Sequence, residues 1–92
     1  MERDLKDTHK MLRALTGISR FKIYIMLAEN KDGMTVTEIA RATGSSLSKI
    51  SHQLRILKQN GLVKSRGTNR ETIYMTDAPK IKKCLSIIIH SK

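Results

Sequence analysis

Two short helices joined by a three-residue turn constrain this chain most, because each carries its own chemical start and stop signals. Thr35-Val36-Thr37-Glu38 has the spacing of a capping box, in which the Thr35 hydroxyl accepts from the Glu38 amide and the Glu38 carboxylate reaches back. The helix it opens runs through Ile39, Ala40 and Thr43, and Gly44, a residue free to take positive φ, closes it. Ser46 then caps a second helix that continues to about Gln59, where Asn60-Gly61 stops it. Helices of this length around Gly44-Ser45-Ser46 have the dimensions of a helix-turn-helix over residues 35–60.

At 100° per residue the helix after Ser46 has two unlike faces. Ile50, Leu54 and Leu57 fall on one side and should pack against the helices before them. Ser48, His52, Arg55 and Gln59 fall opposite, with Lys49 and Ser51 on the flanks. That outward face offers hydroxyls, an imidazole, a guanidinium and an amide, and no carboxylate. Such groups can read base edges in a major groove without repelling phosphates. An outward face built for protein contact would need exposed apolar anchors, and only Ile56 sits at its margin.

After Gly61 the period changes to two. Leu62-Val63-Lys64-Ser65 and Thr72-Ile73-Tyr74-Met75-Thr76 read as strands around the polar stretch Arg66 to Glu71. Ile73 and Met75 share one face of the second strand and Tyr74 points the other way. A hairpin directly behind a helix-turn-helix is a wing, here residues 62–76. On the other side of the pair, a first helix is expected from Asp4 to about Leu15, carrying Leu5, Leu12 and Leu15 until Gly17 breaks it. A second helix, capped by Ser19, carries Phe21, Ile23, Ile25, Met26 and Leu27 to about Glu29. It is apolar around much of its circumference, which places it at the centre. Asn30 to Gly33 is a turn.

Asp77 caps a last helix with Pro79 in its first turn, where the missing N–H costs nothing. Ile81, Cys84, Leu85 and Ile88 form its main apolar stripe, and Ile87 and Ile89 widen it beyond what one small domain can cover. A second copy of the chain is the expected cover, with Leu5 and Leu12 of the first helix contributing. Cys84 near a twofold axis is either a small buried hydrophobe or one half of an intersubunit disulfide.

Charge narrows the class of partner. Eighteen Lys and Arg against eight Asp and Glu leave a net charge of +10, which favours a polyanion. With two Tyr, one Phe and no Trp, a stacking platform for single-stranded nucleic acid is poorly supported, so duplex DNA is favoured. The single cysteine removes any intrachain disulfide and any zinc site needing two thiolates. No apolar run reaches the length of a membrane span and none follows Met1-Glu2-Arg3-Asp4, so a cytoplasmic protein without membrane contact is expected. No nucleophile and base are suggested together and no glycine-rich phosphate loop is present, so neither an enzyme nor a cofactor is expected.

The segment Gly44-Ser45-Ser46-Leu47-Ser48-Lys49-Ile50-Ser51-His52-Gln53-Leu54-Arg55-Ile56-Leu57-Lys58-Gln59-Asn60-Gly61-Leu62-Val63 resembles the recognition segment of ArsR/SmtB-type winged-helix repressors. Their pattern is a Ser-capped helix reading Ser-x-x-Ser-His-x-Leu, then Leu-Lys-x-x-Gly-Leu-Val. The entrance from Ala14 to Ile23 is also similar, with Gly17-Ile18-Ser19-Arg20 where Asp-Pro-Thr-Arg is common. The resemblance covers roughly residues 12 to 77. It implies that Ser48, Ser51 and His52 approach bases, and that wing residues such as Arg66 and Arg70, with Asn69 between them, approach the minor groove or backbone. It also implies dimerisation through the first and last helices, residues 1–15 and 78–92. The metal-sensing positions of the family depart here. A thiolate pair at the start of the third helix is replaced by Thr35 and Thr37, poor ligands for soft metals, and the last helix offers only Asp77 and His90.

These readings converge on one α+β, mostly helical domain over residues 1–92. It is a winged helix-turn-helix with a two-stranded β-wing and a terminal dimerisation helix. The function they imply is sequence-specific binding of double-stranded DNA by a homodimeric transcriptional regulator without a metal site. A winged-helix module for protein contact, lacking specific DNA binding, is the alternative.

Overall fold

Four helices and the wing close over one cluster of apolar side chains, and the order of elements follows from where those side chains fall. The computed structural model describes residues 2–67 and 71–90, and of Cys84, Ile88 and His90 the backbone alone. The elements are α1 (Glu2–Ala14), α2 (Ile18–Glu29), β1 (Met34–Thr35), α3 (Val36–Thr43), α4 (Leu47–Gln59), β2 (Val63–Gly67), β3 (Thr72–Thr76) and α5 (Ala78–His90). No helix among the described residues is long and apolar enough to cross a membrane.

Ile50, Leu54 and Leu57 of α4 are buried, as their spacing requires. Ile23 and Leu27 of α2, Ile39 and Ala40 of α3, Leu62 and Val63 join them, and Met11 and Ala14 close the cluster from α1. Burying each of the large aliphatic side chains contributes about 1.5–3 kcal/mol. Leu62 is fully buried and ties two helices through its backbone. Its N–H donates to the Leu57 carbonyl at 3.0 Å and its carbonyl accepts from Asp77 N–H at 3.0 Å. The N-terminal end of α5 thus starts where α4 stops. Asp77 also accepts through its carbonyl from the Lys80 and Ile81 amides, at 3.1 and 3.3 Å.

Several local expectations are corrected. The start of α2 is Ile18, with Gly17 in extended backbone as its N-cap and the Phe21 amide bonded to the Gly17 carbonyl at 3.0 Å. Ser19 therefore lies inside the helix and does not cap it. Nor is α2 buried all round. Ile23 and Leu27 face the core, whereas Ile18, Phe21 and Ile25 remain 67%, 43% and 39% exposed. A single layer of neighbours covers one side of the helix only, so the apolar circumference exceeds the contact available.

The wing is present, with β2 and β3 antiparallel and Val63 opposite Thr76. A third strand, β1, also pairs with β3, Met34 opposite Tyr74 and Thr35 opposite Ile73, giving the order β1-β3-β2. Two residues are too few to show a period, so the sequence leaves Met34 unassigned and marks Thr35 only as the cap of α3. Tyr74 packs against the core, on the face opposite Ile73 and Met75.

Gly33 and Gly44 both have positive φ, +90° and +72°, but their surroundings differ. A Cβ at Gly33 would collide with the Ile73 Cγ2 and would lie 2.9 Å from the Tyr74 carbonyl oxygen, whereas one at Gly44 would meet nothing within 4 Å. Gly44→Ala should therefore cost only the left-handed backbone term, about 1–2 kcal/mol. Gly33→Ala should cost clearly more, because the β1–β3 pairing must also open. Thermal or urea unfolding of the two variants measures the difference, and an equal loss would remove Gly33 from the sheet contact.

Candidate nucleic-acid interface

The capping box forms as its spacing requires. The Thr35 hydroxyl accepts from the Glu38 amide at 3.1 Å, and Glu38 Oε1 accepts from the Thr35 amide at 2.9 Å. The bond from the Thr35 backbone holds the Glu38 carboxyl below the usual glutamate range, with help from the Thr35 hydroxyl and, more weakly, from Arg41. The turn after α3 is equally determined. Gly44 and Ser45 both donate to the Ala40 carbonyl, at 2.8 and 3.2 Å, and Thr43 Oγ1 donates to the Ile39 carbonyl at 2.8 Å. Ser46 then caps α4, its hydroxyl accepting from the Lys49 amide at 3.2 Å. The groups that end α3 and start α4 are therefore all local in sequence.

With Ile50, Leu54 and Leu57 in the core, α4 turns Ser48, Lys49, His52, Arg55 and Gln59 outward, all exposed, and Ser51 sits half-buried on one flank. No acidic side chain belongs to α4. Arg66 is exposed on β2, the wing strand that follows α4. The Lys58 ammonium donates to Ser65 Oγ at 2.7 Å and so fastens the last turn of α4 to that strand. Asn69 and Arg70 lie outside the described residues. Ser48, Lys49, His52, Arg55 and Arg66 thus lie on two consecutive elements, α4 and β2, which pack together.

One exposed residue of α4 escaped the sequence reading. Leu47 shares the spacing of Ile50 and Leu54, so periodicity assigns it to the core, yet it is 55% exposed. Its turn projects past the end of the cluster. Only the position of the cap, Ser46, signals that the helix begins there. Ile56, by contrast, packs against the core.

The expected dimer residues divide. Leu5 and Leu12 of α1 and Leu85 of α5 are 44%, 41% and 49% exposed, and Ile89 is 72% exposed. Ile81 is half-buried against the chain's own core. Cys84 and Ile88 lie in α5, with side chains outside the described residues. Lys83 of α5 and Asp4 of α1 approach to 3.7 Å, which sets these two helices side by side. Among the described residues no three His, Cys, Asp or Glu side chains come together as a metal ion would need. The Thr35 hydroxyl is already engaged in its cap. Asp77 lies 3.8 Å from Lys80, and the His90 side chain is outside the described residues.

Residues 19–65, just over half of the chain and including α3, the turn and α4, match the model for the bacterial regulatory protein arsR family. The chain belongs to the arsR family. The cadmium resistance transcriptional regulatory protein CadC homolog of Staphylococcus aureus is 32% identical over 78 residues, covering 84% of this chain and 63% of that protein. The HTH-type transcriptional regulator NmtR of Mycobacterium tuberculosis is 38% identical over 63 residues, covering 68% and 51%. This chain therefore spans between half and two thirds of the length of these two curated relatives. Among solved structures, the homodimeric winged helix-turn-helix DNA-binding domain of Mb0332 from Mycobacterium bovis, a possible ArsR-family transcriptional regulator, aligns with a TM-score of 0.76 at 26% identity. The alignment covers 96% of this chain and 84% of that one. The family resemblance carried by residues 44–63 and the winged helix-turn-helix architecture both hold.

The depressed Glu38 carboxyl fixes a pH dependence for the entrance to the arsR-family helix pair. A group whose folded pKa lies below its unfolded value contributes stability above the unfolded pKa, and that stability is lost as pH falls through the folded one. The first turn of α3 should therefore loosen only at acid pH, in the window just below the ordinary glutamate range. NMR titration of the Glu38 carboxyl should give a low midpoint that rises in Thr35→Ala, which removes one of its two bonds. An unchanged midpoint in that variant would leave the Thr35 backbone amide alone as the group that holds the carboxyl low.

Proposed function

We propose that this arsR-family chain is a sequence-specific, double-stranded DNA-binding transcriptional regulator that acts as a homodimer. The observation that carries the reading is the division of α4, whose apolar stripe is buried while its outward face presents hydrogen-bonding and cationic groups without a carboxylate. In the bound state Ser48, Ser51 and His52 meet base edges in the major groove, and Lys49 and Arg55 meet the flanking backbone. Exposed Leu47 adds an apolar group of the kind that contacts a thymine methyl. Arg66, with Asn69 and Arg70, reaches the adjacent minor groove or phosphates. The CadC homolog and NmtR are both transcriptional regulators by name, which supports the same role here.

A twofold partner supplies the cover for Leu5 and Leu12 on α1 and for Leu85 and Ile89 on α5. The Mb0332 domain, a homodimer, supports this assignment. Dimerisation sets two recognition helices about 34 Å apart, one helical turn of DNA. The regulator is cytoplasmic, where its DNA is, and works without metal sensing through thiolates. One cysteine and a committed Thr35 hydroxyl leave no soft donor pair at the start of α3.

His52→Ala should cost about 1–3 kcal/mol on the best duplex and less on mixed sequence, whereas Arg66→Ala should weaken all duplexes alike. Gel-shift titration with selected and scrambled duplexes separates the two behaviours. Equal loss on both duplexes for His52→Ala would move it from base reading to backbone contact or folding. Binding of neither duplex by the wild type would favour the protein-contact module.

Leu85→Lys should produce monomers, because an ammonium cannot be buried in an apolar seam without a partner. Sedimentation of the variant beside the wild type checks this. A wild type that sediments as a monomer at micromolar concentration would end the dimer assignment.

A further inference from the structure

Beside α4 lies a small notch that the outward-face argument does not use. It is formed where the first turn of α2 meets the turn before α4 and the first two turns of α4. Its volume is about 140 Å³, and it is lined by Ser19 and Lys22 from α2, Ser45 from the turn, and Lys49 and Gln53 from α4. Sites for organic ligands usually measure about 300–1,000 Å³, so this one suits a small group. Its lining holds two ammonium groups, three hydroxyls (that of Thr43 at the end of α3 is the third) and no carboxylate, with Ile23 and Ile50 as its apolar wall. A larger groove between α1, the end of α4 and α5, about 360 Å³, mixes Asp4 and Asp7 with its lysines and lacks that single sign.

We propose that the notch holds one backbone phosphate of the bound DNA, clamped between Lys22 and Lys49 with Ser19 and Ser45 as neutral donors. The inference rests on the DNA-binding reading and extends it from α4 to α2. Lys49 is common to both surfaces. It belongs to the outward-turned residues of α4 and also lines the notch, so the notch opens at the edge of the recognition face. Lys22 is exposed and carries no fold-stabilising burial, which leaves its ammonium available to an anion. Gln53 provides a further, independent mark. Its Oε1 is buried with no hydrogen-bond partner among the described residues, and a half-turn of that amide presents its NH2 group instead. A phosphate held here ties the helix-turn-helix to the duplex on the flank of α4 away from the wing-bound Lys58. It fixes the register in which Ser48 and His52 meet the bases.

The test is the salt dependence of binding to a mixed-sequence duplex, measured by fluorescence anisotropy across a potassium chloride series. Each neutralised phosphate contributes about 0.9 to the slope of log K against log salt. Lys22→Gln should lower the slope by about that amount and weaken binding about eightfold at ~0.1 M salt, with the difference vanishing near ~1 M. Lys22→Arg should retain the wild-type slope. Lys82→Gln, a change of equal charge at an exposed site on α5, should leave the slope as it is. Thermal melting of Lys22→Gln should match the wild type, since the side chain is exposed. An unchanged slope in Lys22→Gln beside a steep wild-type slope overturns the clamp and leaves the DNA-binding reading standing. An equal loss of slope in Lys82→Gln overturns it too, since the effect is then one of overall charge. A wild type without salt-dependent duplex binding overturns the DNA-binding reading itself and this inference with it.

Discussion

Water expels the stripe Ile50–Leu54–Leu57, and nearly everything else in the molecule depends on that. Leu54 and Leu57 have no exposed surface, and Ile50 has almost none. Once these three face inward, the rotation of α4 about its own axis is settled, and with it the identity of the side chains offered to solvent. Ile39 from α3, Ile23 and Leu27 from α2 and Leu62 from the wing root supply the other walls. Truncating any one of the central leucines removes both transfer energy and packing, typically 2–5 kcal/mol. For a chain of this size that is a large share of the whole stability.

The polar side of the same helix is organised by a different logic. Local hydrogen bonds fix where α3 begins and ends and where α4 starts: the reciprocal Thr35–Glu38 cap, the pair of amides on the Ala40 carbonyl and the Ser46 cap. These bonds need no partner from elsewhere in the chain. The ends of the helix pair are thus assembled from neighbours in sequence, while its orientation toward the rest of the protein comes from the core. Separating the two tasks lets outward residues vary without disturbing the fold, since Ser48, His52 and Arg55 are all exposed.

Much of this was legible in the sequence because the signals were strong and local. The capping box, the glycine with φ of +72° and the stripe on α4 each arise from chemistry spanning fewer than a dozen residues. What was hidden needed tertiary information. β1 is two residues long, and only β3 gives it a partner. Ile18, Phe21 and Ile25 look like core by composition, but the chain has no further layer to cover that side of α2. Leu47 obeys the core period and still stands in solvent, because periodicity gives the angle around a helix and says nothing of how far along its axis the core extends.

Leu62 gives these separate parts a common mechanical axis. Its amide holds the end of α4, its carbonyl holds the start of α5, and its side chain is immobilised in the core. One residue therefore behaves as a shared bearing for two shafts. Neither helix can turn or slide there without dragging the other or breaking a backbone hydrogen bond out of reach of water, which costs about 1–3 kcal/mol. A torque applied to α5 therefore reaches α4 with little slack.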